Sequence, residues 1–225
     1  MLNRHDMLAL GIEGRREAVL NMAVPGPGFP GGAVERMRKL IRGGDKPALP
    51  AVVRRFDRTE IPRNRVAVGF SSPFRVNGLR LRVASYVHKK WIKQLSTPFE
   101  VFTMGCDGTG TLADILRGLP NFADRRRIGL LGSAAQTVVT EEKSWHAKSD
   151  IDLLVSGFTL EQLRDFEREL NTAAARFSVR FDVEVLLRNG GGVKLAELLS
   201  ASKTFLVKGR HAIAIFTRDK LYAMM

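Results

Sequence analysis

Apolar residues follow two different spacings along the chain, and each spacing predicts one kind of element. Apolar side chains at every third or fourth position predict helices, because such positions share one face of a helix. Alternating or short continuous apolar runs predict strands. The predicted helices are a short one ending at Gly43-Gly44, then 111–119, 134–139, 159–177 and 193–199. The predicted strands are 51–56, 66–70, 79–87, 127–131, 149–155, 180–187, 204–207 and 212–216.

Three of these segments carry additional local signals. The helix over 159–177 opens with Thr159 and Gln162, which predict a capping box. The helix over 111–119 is predicted to begin with its threonine as the cap. In the strand over 79–87, apolar residues from Leu79 onward alternate with arginines. The arginines therefore share a second face, which is either solvated or in contact with an anion.

The order of the elements divides the chain between residues 118 and 127. We predict that 1–118 forms a small N-terminal α+β domain. Residues 119–225 run strand, helix, strand, helix, strand and then a hairpin, which predicts a mixed sheet with helices packed on it. The fold class expected from the sequence is therefore α/β (α+β).

Composition narrows the class of protein further. The chain has 225 residues, of which 44% are hydrophobic and 26% charged, as in an ordinary globular protein. No apolar run approaches the roughly 20 residues that a membrane-spanning helix needs. The single cysteine, Cys106, excludes an internal disulfide and a cysteine-based zinc cluster. Because the charged N-terminus does not resemble a secretory signal, we expect a cytoplasmic protein that does not bind a membrane.

The charge of the chain is positive and unevenly distributed. There are 36 Lys and Arg and 23 Asp and Glu, for a net charge of +13. Residues 1–120 hold 20 basic and 10 acidic side chains, whereas residues 121–225 hold 16 and 13. A field of this sign attracts nucleic acid, polyphosphate ligands or an acidic partner protein, and charge alone does not decide among these three.

Two predicted strands carry carboxylates at alternate positions. Asp150 and Asp152 share one face of the strand over 149–155, because successive side chains of a strand point to opposite sides. Asp182 and Glu184 share a face of the later strand in the same way. If the strands are neighbours, Asp182 or Glu184 completes a three-carboxylate site. Such a site can hold one or two Mg²⁺ or Mn²⁺ ions, since hard cations take oxygen ligands.

Gly132-Ser133 forms a predicted bend directly before the helix over 134–139. A glycine lets the backbone approach a ligand closely, and the N–H groups at a helix start bind phosphate. Ser133 adds a hydroxyl donor. Metal-assisted phosphoryl or nucleotidyl transfer needs a phosphate cradle of this kind opposite carboxylates, because metal ions bridge the phosphates and spread the developing charge.

The core of this pattern is Gly132-Ser133, a spacer over 134–149, Asp150-Ile151-Asp152 and a later acidic strand. It resembles the nucleotidyltransferase superfamily. The whole chain is more closely similar to the holo-acyl-carrier-protein synthase of malonate decarboxylase, the phosphoribosyl-dephospho-CoA transferase family. The further similar stretches are Arg4-His5-Asp6, 49–55, 66–69, 190–193, 197–198 and 206–208.

The resemblance implies a specific reaction. The donor 2′-(5″-triphosphoribosyl)-3′-dephospho-CoA would pass its phosphoribosyl-dephospho-CoA group to a serine of the acyl carrier subunit of malonate decarboxylase, and pyrophosphate would leave. Asp150, Asp152 and Asp182 are implied to be the catalytic metal ligands, and Asp182 also helps to deprotonate the serine. The implied substrate-binding residues are Gly132, Ser133, Lys148, Ser149 and Lys208.

The resemblance also assigns the two halves of the chain. Residues 119–225 become a nucleotidyltransferase-like catalytic domain, and the basic residues 1–118 become the domain that binds the carrier protein and the donor. Complementary charge speeds the encounter with an acidic carrier. The candidate docking residues are Arg54, Arg55, Arg80 and Arg82. The spacer departs from the family pattern at Gln136, Thr137 and Glu141, so its substrate contacts are not carried over.

Two alternatives stay open from the sequence. The same catalytic core would serve an enzyme that transfers an ordinary nucleotide to a small molecule, a protein or an RNA end. The chain would otherwise be a non-catalytic RNA- or nucleotide-binding protein in which the carboxylates are structural. The interleaved aromatic and basic residues of an RNA-recognition module are missing, so nucleic acid is not the partner we expect.

Overall fold

The computed structural model describes residues 2–23, 29–43, 48–56, 61–119, 125–140, 142–146 and 148–225. Gly44 of the predicted helix end and Glu141 of the spacer lie outside the described residues. The chain forms two compact units, each with its own sheet. The first unit is Met1–Ser96 with Val139–Ser144, and the second is Thr97–Val138 with Trp145–Met225. Helices and sheets in both units confirm the predicted α+β class.

The first unit contains a sheet of five described strands and two α-helices. All of its strand pairs are antiparallel, and the strand order is β4-β3-β2-β1-β5. The strands are β1 (Met7–Leu10), β2 (Ala51–Val53), β3 (Arg65–Val76), β4 (Leu79–His88) and β5 (Ile92–Ser96). The helices are α1 (Ile12–Leu20) and α2 (Gly31–Arg42), with a 3₁₀ turn at Lys89–Trp91.

The core of the first unit lies between the two helices and one face of the sheet. Met37 and Ile41 of α2 are fully buried there, as the helical spacing predicts. Leu81 of β4 is also fully buried, whereas Leu79 is 65% exposed because it directly follows the Asn77-Gly78 hairpin turn. The alternation therefore predicts the buried face of β4 correctly except at its first residue.

The second unit contains a six-stranded mixed sheet in the order β11-β10-β9-β8-β7-β6. Only β7 and β8 pair in parallel among these strands. The strands are β6 (Ile128–Leu130), β7 (Ile151–Ser156), β8 (Phe181–Leu186), β9 (Gly192–Lys194), β10 (Thr204–Lys208) and β11 (Ile213–Thr217). The helices are α3 (Pro98–Asp107), α4 (Thr111–Arg117), α5 (Gly132–Thr140), α6 (Leu160–Phe177), α7 (Leu195–Leu199) and α8 (Arg218–Tyr222), with a 3₁₀ turn at Arg125–Arg127.

The parallel pairing of β7 with β8 depends on α6. Parallel neighbours need a crossover connection, and the long helix α6 supplies it. The predicted capping box is present: the Thr159 hydroxyl accepts from the Gln162 N–H at 3.2 Å, and the Gln162 side chain accepts from the Thr159 N–H at 3.0 Å. Leu163 and Phe166 of α6 are fully buried. The capping box fixes the residue at which the crossover helix begins.

The division between the units falls earlier than the predicted 1–118 and 119–225. Residues 97–118 form α3 and α4, which belong to the second unit. The reason is close packing of α3 on β6: a Cβ placed at Gly105 would lie 3.6 Å from the Leu130 side chain, and one at Gly129 would lie 2.7 Å from Pro98 Cβ. Glycines at both positions let the helix approach the strand, a long-range contact that composition does not reveal.

Other differences concern short elements. The sequence patterns do not predict β1, α1, β5 or α3, although Thr97 and Glu100 form a capping box that marks the start of α3. The predicted threonine cap of α4 is wrong, since the helix is capped by Gly110 without a side-chain hydrogen bond. The predicted helix over 193–199 is strand β9 followed by α7. None of the described helices is both long and apolar enough to cross a membrane.

Candidate active site

Asp152 and Asp182 lie side by side on neighbouring strands. β7 and β8 pair in parallel, and Asp152 is the register partner of Asp182. Because register partners in a sheet point to the same side, both carboxylates lie on one face of the sheet. Leu153, one position on in β7, is fully buried on the other face. The predicted carboxylate site requires that the two strands be neighbours, and β7 and β8 are neighbours.

Glu184 occupies a different position from Asp182. It lies two residues further along β8, where its register partner in β7 is Leu154, and it is only 8% exposed. On the other side, in β9, its partner is Lys194. The sequence left Asp182 and Glu184 as alternatives for the third carboxylate ligand. Of these two residues, Asp182 is the register partner of Asp152.

Asp150 lies just before the first residue of β7. Its Oδ1 accepts a hydrogen bond from Arg180 Nε at 2.6 Å, between side chains that are 46% and 78% exposed. The Ile151 N–H donates to the Arg180 carbonyl oxygen at 2.8 Å, which continues the β7–β8 pairing to this point. Asp150 thus lies at the end of the β7–β8 pair where both strands begin, and Arg180 is its cationic partner.

Asp182 also has a cationic partner, the Lys194 ammonium group of β9. Sequence reasoning missed this lysine, because residues 193–199 were predicted to form a helix and its neighbour across the sheet was not visible. The alternating pattern of Gly192–Lys194 is too short to signal a strand. The two side chains are 38% and 40% exposed. The pair therefore contributes little to stability, but it does fix a positive charge beside Asp182.

Gly132 lies against Asp152. Its φ is +61°, and a Cβ built on Gly132 would lie 1.9 Å from Oδ2 and 2.9 Å from Cγ of Asp152. The Leu131 N–H donates to the Asp152 carbonyl oxygen at 2.8 Å, which ties this bend to β7. The predicted bend therefore leads directly from the carboxylate face into the first turn of α5, where Ser133 is the second residue.

Ser149 is held by the residues before it. Its N–H donates to the His146 carbonyl oxygen at 2.7 Å, and its hydroxyl lies 3.1 Å from His146 Nδ1. Trp145 is buried, and its Nε1–H donates to the Ser149 carbonyl oxygen at 3.2 Å. The Trp145 N–H in turn donates to the Thr137 hydroxyl at 2.8 Å, so this end of the spacer is anchored to α5.

The two predicted substrate lysines are placed differently. Lys148 directly precedes Ser149 and is exposed. Lys208 is the last residue of β10, level with Gly192 of β9 and half-buried. Within the described residues neither ammonium group forms an ion pair, and their contact with a substrate stays a prediction. A cavity of about 220 Å³ opens beside Asp182 and Lys194, with Glu167 and Asn171 of α6 in its wall.

The carboxylate groups of this site are of the chemical type that binds a hard cation. Carboxylate oxygens are the ligands that Mg²⁺ and Mn²⁺ prefer, and Gly132 leaves no side chain in the space beside Asp152. In the part of the chain that the structure describes, however, no three His, Cys, Asp or Glu side chains converge as a ready metal cluster. Asp150 contacts Arg180 and Asp182 contacts Lys194. The three-carboxylate metal site therefore stays a prediction.

Comparison with known proteins places this site in a family. Residues 109–219 match the family described as phosphoribosyl-dephospho-CoA transferase MdcG C-terminal domain, a range that includes all the predicted site residues. A relative from Xanthomonas euvesicatoria pv. vesicatoria (strain 85-10), named phosphoribosyl-dephospho-CoA transferase, is 26% identical over 224 residues. The alignment covers 99% of this chain and 97% of that relative. No solved structure matches the chain.

The matched domain and the relative together indicate a transferase. Residues 109–219 match the C-terminal domain of the phosphoribosyl-dephospho-CoA transferase family, and the resemblance to that family stated from the sequence is thereby confirmed. The wider resemblance to the nucleotidyltransferase superfamily stays a prediction.

Proposed function

We propose that the chain transfers the phosphoribosyl-dephospho-CoA group from 2′-(5″-triphosphoribosyl)-3′-dephospho-CoA to a serine of the acyl carrier subunit of malonate decarboxylase. The observation that carries this proposal is the adjacency of Asp152 and Asp182 beside Gly132, inside the domain that matches the family. The serine oxygen forms a bond to the α-phosphorus of the donor. The bond from that phosphorus to the bridging oxygen breaks, and pyrophosphate leaves with the electron pair.

The carboxylates would hold Mg²⁺ or Mn²⁺, with Asp150, Asp152 and Asp182 as the ligands. When bound, the ion supplies neutralising charge to the triphosphate and makes its phosphorus easier to attack. Asp182 accepts the proton of the attacking serine, since it is level with Asp152 and half-exposed at the surface.

The bend at Gly132 would hold the departing phosphates. The backbone N–H groups at the start of α5 and the Ser133 hydroxyl are donors that suit phosphate oxygens. Ser149, positioned by His146, adds a hydroxyl at the mouth of the strand pair. Lys148 and Lys208 supply positive charge to the triphosphate.

The first unit would bind the acidic carrier protein. The first unit, residues 1–96 with 139–144, holds 20 basic and 9 acidic side chains, while the second unit holds 16 and 14, so almost the whole net charge is in the first unit. Among the proposed docking arginines, Arg54 and Arg82 are exposed and suited to a protein surface. Arg80 is half-buried and donates to the Ser144 carbonyl oxygen at 2.8 Å, and Arg55 is half-buried. Docking therefore rests on Arg54 and Arg82.

The test is reconstitution of the reaction. The protein, Mg²⁺, the triphosphoribosyl donor and the unmodified carrier subunit are mixed, and mass spectrometry measures the added group while a coupled assay measures pyrophosphate. We expect Asp152→Asn to keep the fold and to lower the transfer rate by at least about 100-fold, the usual cost of losing one electrostatic group at the reacting centre. Asp165→Asn is the matched control, because Asp165 is an exposed residue of α6 paired with Arg168.

Three results would overturn the proposal. An Asp152→Asn variant that modifies the carrier as fast as Asp165→Asn would remove the carboxylates from the reaction. A wild-type protein that leaves the carrier unmodified but consumes an ordinary nucleoside triphosphate would instead be a nucleotidyltransferase acting on another substrate. Retention of RNA without any metal dependence would identify a binding protein.

A further inference from the structure

The face of the sheet that carries Asp182 continues from β8 to the edge strand β11. Asp182 and Leu186 point to the same side of β8, because they are an even number of residues apart. Leu186 is the register partner of Gly192 in β9. Gly192 is in turn level with Lys208 of β10, and Lys208 is level with Ile213 of β11. Register partners point to the same side, so Ile213 lies on the face of the sheet that carries Asp182.

The hairpin of β10 and β11 buries one face and exposes the other. The buried side chains, at most 9% exposed, are Phe205, Val207 and Phe216. The side chains on the face of Asp182 include three exposed apolar residues, Leu206 at 40%, Ile213 at 48% and Ile215 at 72%. These three residues are called the hairpin face here, and two of them, Leu206 and Ile215, are register partners. Apolar side chains that are exposed together are typical of an interaction surface.

The backbone of the hairpin is tied at both ends. The Gly209 N–H donates to the Ala212 carbonyl oxygen at 2.9 Å, which closes the turn. The Leu206 N–H donates to Glu197 Oε1 of α7 at 2.8 Å. The exposed side chains therefore extend from a backbone that is already ordered, which lowers the cost of binding a partner there.

The other end of the same face is covered. Leu154 of β7 lies two residues beyond Asp152, on the same side of the strand, and is 2% exposed. Its register partner in β6 is Gly129, where a Cβ would lie 2.7 Å from Pro98 Cβ of α3. Helix α3 thus occupies this face over β6, whereas the hairpin face is exposed. A protein that brings a side chain to Asp182 along this face therefore approaches over the hairpin.

The hairpin face lies within the footprint of a protein bound at Asp182. Strands are about 4.8 Å apart and rise about 3.3 Å per residue. The three residues of the hairpin face are therefore about 10–20 Å from Asp182 across the sheet. A small protein domain is about 30 Å in diameter. A domain whose serine reaches Asp182 is wide enough to cover the hairpin face.

The hairpin region is also the positively charged part of the second unit. Residues 201–225 contain 5 basic side chains and 1 acidic side chain, whereas the remainder of the second unit contains 11 and 13. Lys208 lies on the same side as the hairpin face, as the register partner of Ile213. Apolar side chains in a positively charged region are complementary to an acidic protein that presents an apolar patch.

We propose that the hairpin face is a docking surface for the acidic carrier protein whose serine is modified at Asp182. The proposal rests on the function proposed above, and it adds a contact in the second unit to the arginines of the first unit. The hairpin face binds apolar side chains of the carrier near its serine, while the surrounding positive charge attracts carboxylates of the carrier. Its three residues carry no group that reacts, so they act on affinity for the carrier alone.

The test is steady-state transfer at varied carrier concentration, together with binding of the unmodified carrier measured by biolayer interferometry. We expect Ile215→Ser to raise both the KM and the Kd for the carrier by about tenfold, the loss typical of truncating an apolar side chain at the centre of an interface. The kcat at saturating carrier and the KM for the donor should keep their wild-type values. Leu20→Ser is the matched control, because Leu20 of α1 is 85% exposed and lies outside the hairpin.

A second pair of variants tests the charge of the partner. Ile215→Glu and Ile215→Lys both remove the apolar side chain and introduce opposite charges. With an acidic carrier, the glutamate variant should bind about tenfold more weakly than the lysine variant at low salt, and added salt should reduce this difference. Equal Kd values for the two variants would contradict docking of an acidic protein. Ile213→Ser should behave like Ile215→Ser, and both should melt within a few degrees of the wild type because the side chains are exposed.

The outcomes separate failure of this surface from failure of the proposed function. If the wild type modifies the carrier and Ile215→Ser has the same KM as Leu20→Ser, the function stands and the docking surface is refuted. If the wild type binds the carrier through Ile215 but transfers nothing, the surface stands and the reaction is refuted. A carrier that the wild type neither binds nor modifies refutes both. A wild-type dimer in sedimentation that Ile215→Glu dissociates, with an unchanged KM for the carrier, would instead assign the hairpin face to a second copy of the chain.

Discussion

Replacement of Gly132 by alanine is the most direct test of the candidate active site. The new Cβ would lie 1.9 Å from Asp152 Oδ2, whereas an ordinary contact is 3.4 Å or more. The carboxylate must therefore move by well over an ångström, or the bend must open. Gly132 also has a φ of +61°. Alanine in this left-handed region costs about 1–2 kcal/mol in addition to the steric conflict.

We expect Gly132→Ala to reduce the free energy of unfolding by about 1–3 kcal/mol. This value combines the backbone strain with the part of the steric conflict that remains after the neighbouring atoms have adjusted. The transfer rate should fall by about 100-fold, since a displacement of about 1 Å in a reacting group can cost two orders of magnitude. The loss of transfer rate should therefore be larger than the loss of folding stability alone would cause. Urea unfolding followed by circular dichroism gives the first quantity, and carrier modification followed by mass spectrometry gives the second.

Gly110→Ala separates strain from steric contact. Gly110 also has a positive φ, of +86°, but a Cβ there would meet no atom within 4 Å. This variant should lose about 1–2 kcal/mol of stability and keep its activity. If Gly132→Ala and Gly110→Ala transfer the prosthetic group at rates within about threefold of each other, the position of Gly132 against Asp152 has no role in catalysis.

Two further predictions concern pH and metal. Burial opposes ionisation of Glu17, but hydrogen bonds from the His88 N–H and from Arg65 Nε at 2.8 Å lower the pKa of Glu17 below its ordinary 4.5. A lowered folded-state pKa stabilises the protein above the unfolded value, and this contribution is lost as the pH falls through the folded value. Glu17→Gln should therefore destabilise the protein by about 1–3 kcal/mol at pH 7, and by progressively less as the pH falls through the folded-state pKa of Glu17, as thermal unfolding over a series of acidic pH values will show. Excess EDTA should stop carrier modification and added Mg²⁺ or Mn²⁺ should restore it, while transfer that continues after exhaustive chelation would exclude a metal at the carboxylates.

Local signals in the sequence predicted the strands and the helix of the candidate site well. The alternation in 149–155 and 180–187 identified the two strands that carry Asp152 and Asp182, and the capping box at Thr159 located the helix between them. These predictions succeed because side-chain alternation and helix capping depend only on residues a few positions apart. A strand, a helix and a second strand in this order also allow parallel pairing, and β7 and β8 do pair in parallel.

The first unit was predicted less completely. β1 is only four residues long, and β5 has little apolar alternation, so neither gave a clear periodic signal. Their positions depend on pairing: β1 lies between β2 and β5, which are far apart in the chain. A short strand of this kind is stable only within its sheet, and the sequence near it does not specify its neighbours.

By itself the sequence identified the candidate site residues, because the paired carboxylates, the glycine-serine bend and the family pattern depend only on residue type and spacing. Only the tertiary structure decided which charges meet. It placed Lys194 beside Asp182 and Gly132 against Asp152. Each of these pairs joins residues well separated along the chain, so their contact depends on strand register and loop closure, and not on any local preference of the chain.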